Sequence, residues 1–226
     1  MLQIKNLTVK VAEKVIINNL DIAFLDSTTT YLLGPNGAGK SSFAMSLIGY
    51  FKYNITGEIN LNEINISDLP TYKRARNGLF VSLQYPQDLP GIMIKEFIFE
   101  SYKAILYQDS IQDIKKITEL FDAEFAKGAK LVGLENIENR FIEGLSGGQK
   151  KRLELLQIYL TKPKCIVLDE IDSGMDEDGK IAIKNVLKYC KEADPNLIVI
   201  IITHNKDNQI FSPDRILFIN NGVINE

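Results

Sequence analysis

Eight consecutive residues, GPNGAGKS over Gly34–Ser41, match the phosphate-binding pattern GxxxxGK[ST]. Glycines in such a loop let successive backbone N–H groups turn toward a polyphosphate at the beginning of a helix. The lysine, Lys40, then brings its charge to the β- and γ-phosphates, and the hydroxyl of Ser41 binds Mg²⁺. Because a glycine-rich turn without a ligand would leave Lys40 unexplained, we expect ATP and Mg²⁺ to bind here. The expected nucleotide contacts are Gly34, Pro35, Asn36, Gly37, Ala38, Gly39, Lys40, Ser41 and Ser42.

Two adjacent carboxylates, Asp169 and Glu170, follow the apolar run Cys165–Leu168. The carboxyl ends of parallel strands form the ligand crevice of an open α/β sheet, which is also where the phosphate loop would lie. At that edge Asp169 would orient the Mg²⁺ shell, and Glu170 would order or deprotonate a water that attacks the γ-phosphate. A solvated acidic strand end is the alternative for either residue alone.

Two further polar residues come directly after apolar runs of the sequence. His204, the one histidine of the chain, follows Leu197–Thr203, and Gln84 follows Leu79–Leu83. At the same sheet edge the neutral imidazole of His204 would contact the γ-phosphate and hold the attacking water. Gln84 would reach Mg²⁺ or that water. A lone histidine is more often an ordinary polar residue, so the assignment of His204 depends on its position at the end of a strand.

The segment LSGGQKKR, over Leu145–Arg152, predicts the start of a helix with Ser146 as its N-cap. Three cations in the first turn add to the positive end of the helix dipole, which is unfavourable in isolation. A docked anion would relieve this repulsion, and that anion could belong to a nucleotide bound by another subunit. A solvated basic helix end is the alternative.

Three kinds of sequence pattern predict the strands and helices that position these residues. Period-two alternation predicts half-exposed antiparallel strands at Leu7–Val11, Leu20–Phe24 and Gly57–Ile64. Short, mostly apolar segments predict parallel strands at Thr30–Leu33, Leu79–Leu83, Cys165–Leu168, Leu197–Thr203 and Arg215–Ile219. Helical signals lie between Asp68 and Gly78, between about Ile92 and Gly144, and over Ile181–Tyr189.

Together these patterns predict an α/β fold with a mostly parallel core sheet, an antiparallel β part and a helical lobe. We expect a single domain over residues 1–226. Its catalytic core lobe would cover 1–84 and 161–226, and its helical lobe would cover 85–160.

Composition excludes several classes of protein. Hydrophobic residues make up 45% and charged residues 24% of the 226 residues, which is ordinary for a folded globular chain. The net charge of −3 argues against a surface that coats nucleic acid, so no nucleic-acid partner is expected. The longest apolar run, Leu197–Ile202, is too short to span a bilayer, and we expect a cytoplasmic protein without direct membrane insertion. The 2 cysteines lack CxxC spacing, which indicates neither a disulfide framework nor a protein-borne metal site.

In their order and spacing, GPNGAGKS, Gln84, LSGGQ, CIVLDE, DSGMD and His204 resemble an ABC-type ATPase domain over essentially the whole chain. The resemblance implies the two-lobed ABC variant of the P-loop NTPase fold. It also implies an ATP-dependent, head-to-tail homodimer with two ATP molecules at its interface. Each ATP would lie between the phosphate loop of one subunit and Ser146, Gly147, Gly148 and Gln149 of the other. Asp176 would cross between the two sites.

Within this superfamily the details are most similar to the SufC-like ATPases of the Suf iron–sulfur cluster assembly system. The similar segments are Gln84-Tyr85-Pro86 with Leu89-Pro90-Gly91, SGGQKKR, and LDEIDSGMD in place of a transporter-like PTSALD pattern. The resemblance implies an ATPase that acts on a SufB/SufD-like scaffold protein. A soluble nucleotide-binding subunit of an ABC membrane transporter is the alternative. A non-hydrolysing, ATP-gated module is a third possibility, against which Glu170 and His204 argue.

Two other features of the sequence bear on specificity. Val11 stands where many ABC domains carry an aromatic residue that stacks on adenine, so base selectivity would be loose. The segment Tyr85–Met93 follows Gln84 and carries the apolar residues Leu89 and Ile92. We expect it to dock a partner protein, and packing of these side chains under the helical lobe is the alternative.

Overall fold

The structure, a computed structural model, describes residues 1–82, 89–107, 113–204 and 211–226. Its contacts form two compact units. The first contains Met1–Gln84, Pro163–Glu170 and Asp194–Glu226, and the second contains Tyr85–Lys162 and Ile171–Ala193. This division differs from the lobes expected from the sequence in two segments, because residues 161–162 and Ile171–Ala193 group with the second unit.

The first unit is built from strands and two helices. Its strands are β1 (Leu2–Val11), β2 (Lys14–Phe24), β3 (Thr29–Leu33), β4 (Tyr53–Leu61), β5 (Ile64–Asn65), β6 (Leu79–Ser82), β7 (Cys165–Asp169), β8 (Ile198–Thr203), β9 (Arg215–Asn220) and β10 (Val223–Asn225). Its helices are α1 (Lys40–Leu47) and α2 (Thr71–Arg76). An antiparallel sheet has the order β2-β1-β4-β5, and a second sheet has the order β10-β9-β3-β8-β7-β6. The second sheet is parallel from β9 to β6, and β10 pairs antiparallel with β9.

The burial of the strands follows their sequence patterns. Every residue of β3, β7 and β8 is buried, as the apolar runs predict for strands covered on both faces. β1 alternates between buried and exposed positions over much of its length. The predicted α/β class, with a mostly parallel sheet and an antiparallel part, is confirmed. The segment Gly57–Ile64, predicted as one strand, contains the end of β4, a turn and the first residue of β5, which pairs antiparallel with β4. β10, with 3 residues, is too short for a periodic signal.

One hydrophobic core joins the two sheets of the first unit to α1. Phe43 and Leu47 of α1 are fully buried among side chains from both sheets. The Phe43 ring lies 5.9 Å from that of Phe24 on β2. Burial of a side chain of this size stabilises the fold by roughly 1.5–3 kcal/mol. This core therefore fixes the helix that begins at Lys40.

The second unit is helical, as the periodicity of the sequence predicts. Its helices are α3 (Ile94–Leu106), α4 (Ile114–Leu131), α5 (Gly147–Thr161) and α6 (Glu177–Ala193), with a short 3-10 turn at Ile142–Gly144. Asp113 caps α4 by accepting a hydrogen bond from the Lys116 N–H at 3.0 Å. Phe121 of α4 packs against Phe99 and Tyr102 of α3, with ring centres 5.0 and 5.4 Å apart. Among the helices in the described part of the chain, none is long and apolar enough to cross a membrane.

Candidate active site

The phosphate-binding loop joins the buried strand β3 to the first turn of α1. Gly39 is the N-cap of α1 and has a φ of 106°, a left-handed conformation that a residue with a Cβ rarely adopts. It provides no side-chain oxygen for the first N–H groups of the helix. Since four N–H groups at a helix start have no partner within the helix, an anion can bind at this position.

Lys40 is held over the loop that precedes it. Its ammonium donates hydrogen bonds to the carbonyl oxygens of Gly34 at 2.7 Å and Pro35 at 3.0 Å. The residue is only 6% exposed, and burial lowers the pKa of its ammonium below the usual value. The negative charges of Glu170 and Asp169 oppose that shift. The site therefore contains a partly desolvated cation, which suits a bound polyphosphate, beside two carboxylates, which suit a cation bound with it.

The turn between β9 and β10 is hydrogen-bonded to the phosphate-binding loop. The Gly222 N–H donates to the Ala38 carbonyl at 3.0 Å. At Gly34 a Cβ would lie 2.3 Å from the carbonyl oxygen of Ile219, so this position accepts glycine alone. The loop is thus fixed through its backbone, and its shape does not depend on its exposed side chains.

A cavity of about 420 Å³ opens above the loop. Its lining residues are Ile16, Asn36, Gly37, Gly39, Lys40, Ser41, Ser42 and Glu170. All but Ile16 were expected from the sequence to lie at the nucleotide. Ile16 lies on β2, before the segment Leu20–Phe24 that the sequence predicts as a strand, and nothing in the sequence indicates a ligand contact there. Val11, the position considered for the base, pairs with Lys14 at the end of β1 and is not among the described lining residues.

Asp169 and Glu170 lie at the carboxyl end of β7, as the apolar run before them predicts. Asp169 is 4% exposed. Glu170 has a φ of 51°, and its N–H donates to the Ile202 carbonyl of β8 at 3.0 Å. A left-handed conformation costs a non-glycine residue roughly 1–2 kcal/mol. Such local strain is typical of functional positions, and here it accompanies a side chain that lines the cavity.

His204 follows β8 and lies beside Glu170. Its Nδ1 is 3.0 Å from Oε1 of Glu170, while the imidazole stays half exposed. In the tautomer that carries its hydrogen on Nδ1, the imidazole donates to the Glu170 carboxylate. Two residues 34 positions apart in sequence are therefore brought together by the neighbouring strands β7 and β8.

The oxygen atoms needed for Mg²⁺ are available at this edge. Mg²⁺ prefers hydroxyl and carboxylate oxygens and keeps several waters when it binds a nucleotide. Ser41 lines the cavity, and the buried Asp169 acts electrostatically on Lys40 beside it. These residues fit the ion that the sequence implies. Gln84, the third expected metal contact, lies outside the described residues.

The LSGGQ segment of the second unit begins α5 with a capping box. The Ser146 hydroxyl accepts from the Gln149 N–H at 3.2 Å, and the Gln149 side chain accepts from the Ser146 N–H at 3.1 Å. The predicted helix start at Ser146 is confirmed. A Cβ at Gly147 would meet no atom within 4 Å, so the helix end is open on that side.

The positive charges that follow the LSGGQ segment have partners within the second unit. The Lys151 ammonium donates to the Ser173 carbonyl, and the Arg152 guanidinium donates to Asp176 at 2.7 Å. The repulsion expected at the start of α5 is therefore relieved in part by the chain itself, which the sequence did not indicate. The Gly179 N–H and then Arg152 hold the pKa of the Asp176 carboxyl below its usual value. That Asp176 contacts a second site stays a prediction.

Comparisons with known proteins identify the family of this chain. The sequence model of the ABC transporter family matches residues 17–173. A probable ABC transporter ATP-binding protein of Streptococcus pyogenes serotype M18 is 37% identical over 190 residues, which are 82% of this chain and 73% of the relative. A probable ATP-dependent transporter, ycf16, of Trieres chinensis is 32% identical and covers 99% of this chain and 89% of its own length.

Solved structures show the same fold. The ATP-binding subunit of an ABC transporter superposes with a TM-score of 0.82 at 19% identity, covering 100% of this chain and 88% of its own. A dimeric bacterial ABC transporter cassette superposes with a TM-score of 0.81 at 20% identity, and the superposition covers 100% of this chain and 97% of the cassette. The ABC-type fold that the motifs imply is therefore confirmed, and the chain belongs to the ABC transporter family as an ATP-binding ATPase subunit.

Proposed function

We propose that this chain hydrolyses ATP to change the shape of a SufB/SufD-like scaffold in iron–sulfur cluster assembly. The observation that supports ATP hydrolysis is the pairing of Glu170 Oε1 with His204 Nδ1 at 3.0 Å. Glu170 also lines the same cavity as Lys40. The support for the scaffold is the resemblance of LDEIDSGMD and SGGQKKR to the SufC-like ATPases.

In the proposed hydrolysis, the loop N–H groups and Lys40 hold the β- and γ-phosphates at the start of α1. Mg²⁺, held by Ser41 and Asp169, would neutralise charge on the phosphate oxygens. Glu170 accepts a proton from water as the water oxygen bonds to the γ-phosphorus and the bond from that phosphorus to the bridging oxygen of ADP breaks. His204 positions Glu170 through Nδ1, and its neutral Nε2 is then left as an acceptor for a water hydrogen.

The proposed site is shared between two subunits. The open helix start at Gly147 and Gly148 can receive a phosphate from one side, and the loop at Gly34–Ser41 holds the nucleotide from the other. Arg152 is already paired with Asp176, so the helix dipole and the backbone N–H groups of α5 provide most of the attraction for the partner's ATP. The resulting dimer is head to tail and depends on ATP.

A groove in the second unit suits the docking of a partner protein. Two adjoining cavities of about 260 and 290 Å³ share Lys95, Asp122 and Glu138 in their linings. Their apolar lining includes Met93, Phe99, Phe121 and Phe125, and their acidic lining includes Glu96, Asp122, Glu135 and Glu138. Lys95 is neutralised by Asp122 at 2.9 Å. The surplus of acidic groups favours a partner segment that carries both apolar and basic side chains.

The segment Tyr85–Met93, which we expect to dock a partner, ends at a residue that lines this groove. Met93 lines the groove, and Ile92 beside it is 37% exposed. Leu89 is half-buried. Tyr85, Pro86, Gln87 and Asp88 lie outside the described residues. We propose that Ile92 contacts the scaffold directly.

The second candidate is the nucleotide-binding subunit of a membrane transporter. The names of the relatives, an ABC transporter ATP-binding protein and an ATP-dependent transporter, favour it. The same nucleotide chemistry would serve either partner, so the distinction depends on which protein occupies the groove.

Replacement of Lys40 and of Glu170 should separate binding from hydrolysis. Lys40→Ala removes a charge-assisted contact to phosphate, and we expect the Kd for ATP to rise by about 10- to 100-fold in calorimetric titration. Glu170→Gln keeps the size of the side chain but loses the base, so the Kd should change little while kcat falls by about 10²- to 10⁴-fold. Undiminished steady-state hydrolysis by Glu170→Gln would remove Glu170 from the catalytic role.

A mixture of two inactive variants tests the shared site. Lys40→Ala damages the loop, and Ser146→Arg blocks the start of α5, so a heterodimer carries both defects in one site and none in the other. For random pairing of equal amounts, we expect about one quarter of wild-type activity, while each variant alone is inactive. Affinity tags of two kinds would show that heterodimers form. An inactive mixture that contains heterodimers would contradict the shared site.

Co-purification identifies the partner and the role of the groove. A tagged chain, cross-linked in its native host, should yield a SufB/SufD-like protein by mass spectrometry. Ile92→Glu should weaken this capture by tenfold or more, because it adds a negative charge beside an acidic groove. Leu25→Glu, at a residue that is 55% exposed in the first unit, is the matched control and should not weaken it. Capture of an integral membrane protein instead would favour the transporter.

A further inference from the structure

We infer that Arg74 positions the nucleotide-binding loop by holding the far end of α1. Arg74 lies on α2 in the first unit and is only 3% exposed. It belongs to none of the motifs that predict nucleotide binding. A buried guanidinium needs a specific set of acceptors, because an unsatisfied buried charge is strongly destabilising.

The acceptors of Arg74 come from two segments of the chain. Nη1 donates to the carbonyl oxygens of Ser46 at 3.1 Å and Leu47 at 2.7 Å, which are the last residues of α1. Nε donates to the Leu69 carbonyl at 2.8 Å, and Nη2 donates to the Ser67 carbonyl. The planar guanidinium therefore ties the end of α1 to the segment that follows β5. Lysine could not make these bonds, since it has one nitrogen where arginine has three.

The chain leaves room for this contact at Gly49. A Cβ there would lie 2.9 Å from both Cζ and Nη2 of Arg74, and the φ of Gly49 is 68°. Both the open space and the left-handed backbone depend on glycine. Gly49 and Arg74 thus form one structural feature, although they are 25 residues apart.

The charge of Arg74 matches the electrostatics of α1. Carbonyl groups at the C-terminus of a helix carry partial negative charge, which a cation stabilises. The other end of α1 has partial positive charge and faces the proposed phosphate site. Burial lowers the pKa of the guanidinium, and the charge of Asp68 opposes that shift, while arginine stays protonated in proteins. Arg74 and the nucleotide therefore complement opposite ends of the same helix.

The length of α1 makes coupling between its two ends effective. The helix has 8 residues, and at about 1.5 Å per residue it spans roughly 12 Å. A two-turn helix packed in a core moves as a rigid body, so a shift at Leu47 displaces Lys40 and the N–H groups of the loop. Since binding geometry is sensitive to displacements of about 1 Å, the anchor at one end should control affinity at the other.

The test compares nucleotide affinity with stability. Arg74→Lys keeps the charge and loses the forked contact, and Gly49→Ala leaves Arg74 in place but adds a Cβ that would lie 2.9 Å from its guanidinium, at a backbone φ of 68°. Ile198→Ala is the control, because it truncates a fully buried side chain at the end of β8 opposite His204. The melting temperature, the Kd for ATP, and KM and kcat are measured for each protein, all at a temperature where the variants are folded.

We expect Arg74→Lys to raise the Kd and KM for ATP by about tenfold while kcat changes less than threefold, as for a defect in binding geometry. Gly49→Ala should also raise the Kd for ATP. Ile198→Ala should lower the melting temperature and leave the Kd unchanged. Arg74 would be shown to have a purely structural role if its variant melted earlier but bound ATP like the wild type. If Arg74→Lys does not fold, a wild-type Kd in Gly49→Ala would overturn the inference.

Discussion

Parallel pairing of buried strands is the constraint on which the site in the first unit depends. β3, β7 and β8 run in the same direction, so the residues that follow them emerge at one edge of the sheet. The phosphate-binding loop follows β3, the carboxylates end β7, and His204 follows β8. Hydrophobic burial of these strands thus fixes the positions of polar groups that would otherwise repel one another or be separated by water.

The polar groups at this edge stabilise one another only in part. Lys40 loses hydration, which lowers its pKa, and its ammonium binds two loop carbonyls in place of water. Glu170 adopts a left-handed backbone conformation and pairs with His204. Local costs of this kind persist because the core beneath them is rigid. A bound nucleotide with Mg²⁺ would provide the negative and positive charges that this arrangement is built to receive.

Much of the fold and site could be predicted from the sequence because the signals are local. Solid apolar runs predicted the parallel strands, and the glycine pattern predicted the loop. The signals failed where a contact joins distant segments. Nothing local indicates that Arg74 binds the end of α1, that Ile16 faces the cavity, or that Arg152 pairs with Asp176. The sequence of the charge run Lys150–Arg152 does not indicate the tertiary partners of Lys151 and Arg152, so the repulsion that it predicts is only partly present in the fold.

A crystal structure of the chain with Mg²⁺ and a non-hydrolysable ATP analogue would show directly whether the nucleotide binds at this edge of the sheet. We expect the β- and γ-phosphates to lie against the N–H groups of Gly37–Ser41. Lys40 should leave the Gly34 and Pro35 carbonyls for the γ-phosphate, and a water should lie between that phosphate and Glu170. Phosphates bound away from this loop, or a Glu170 carboxylate separated from the γ-phosphate by more than one water, would contradict the account.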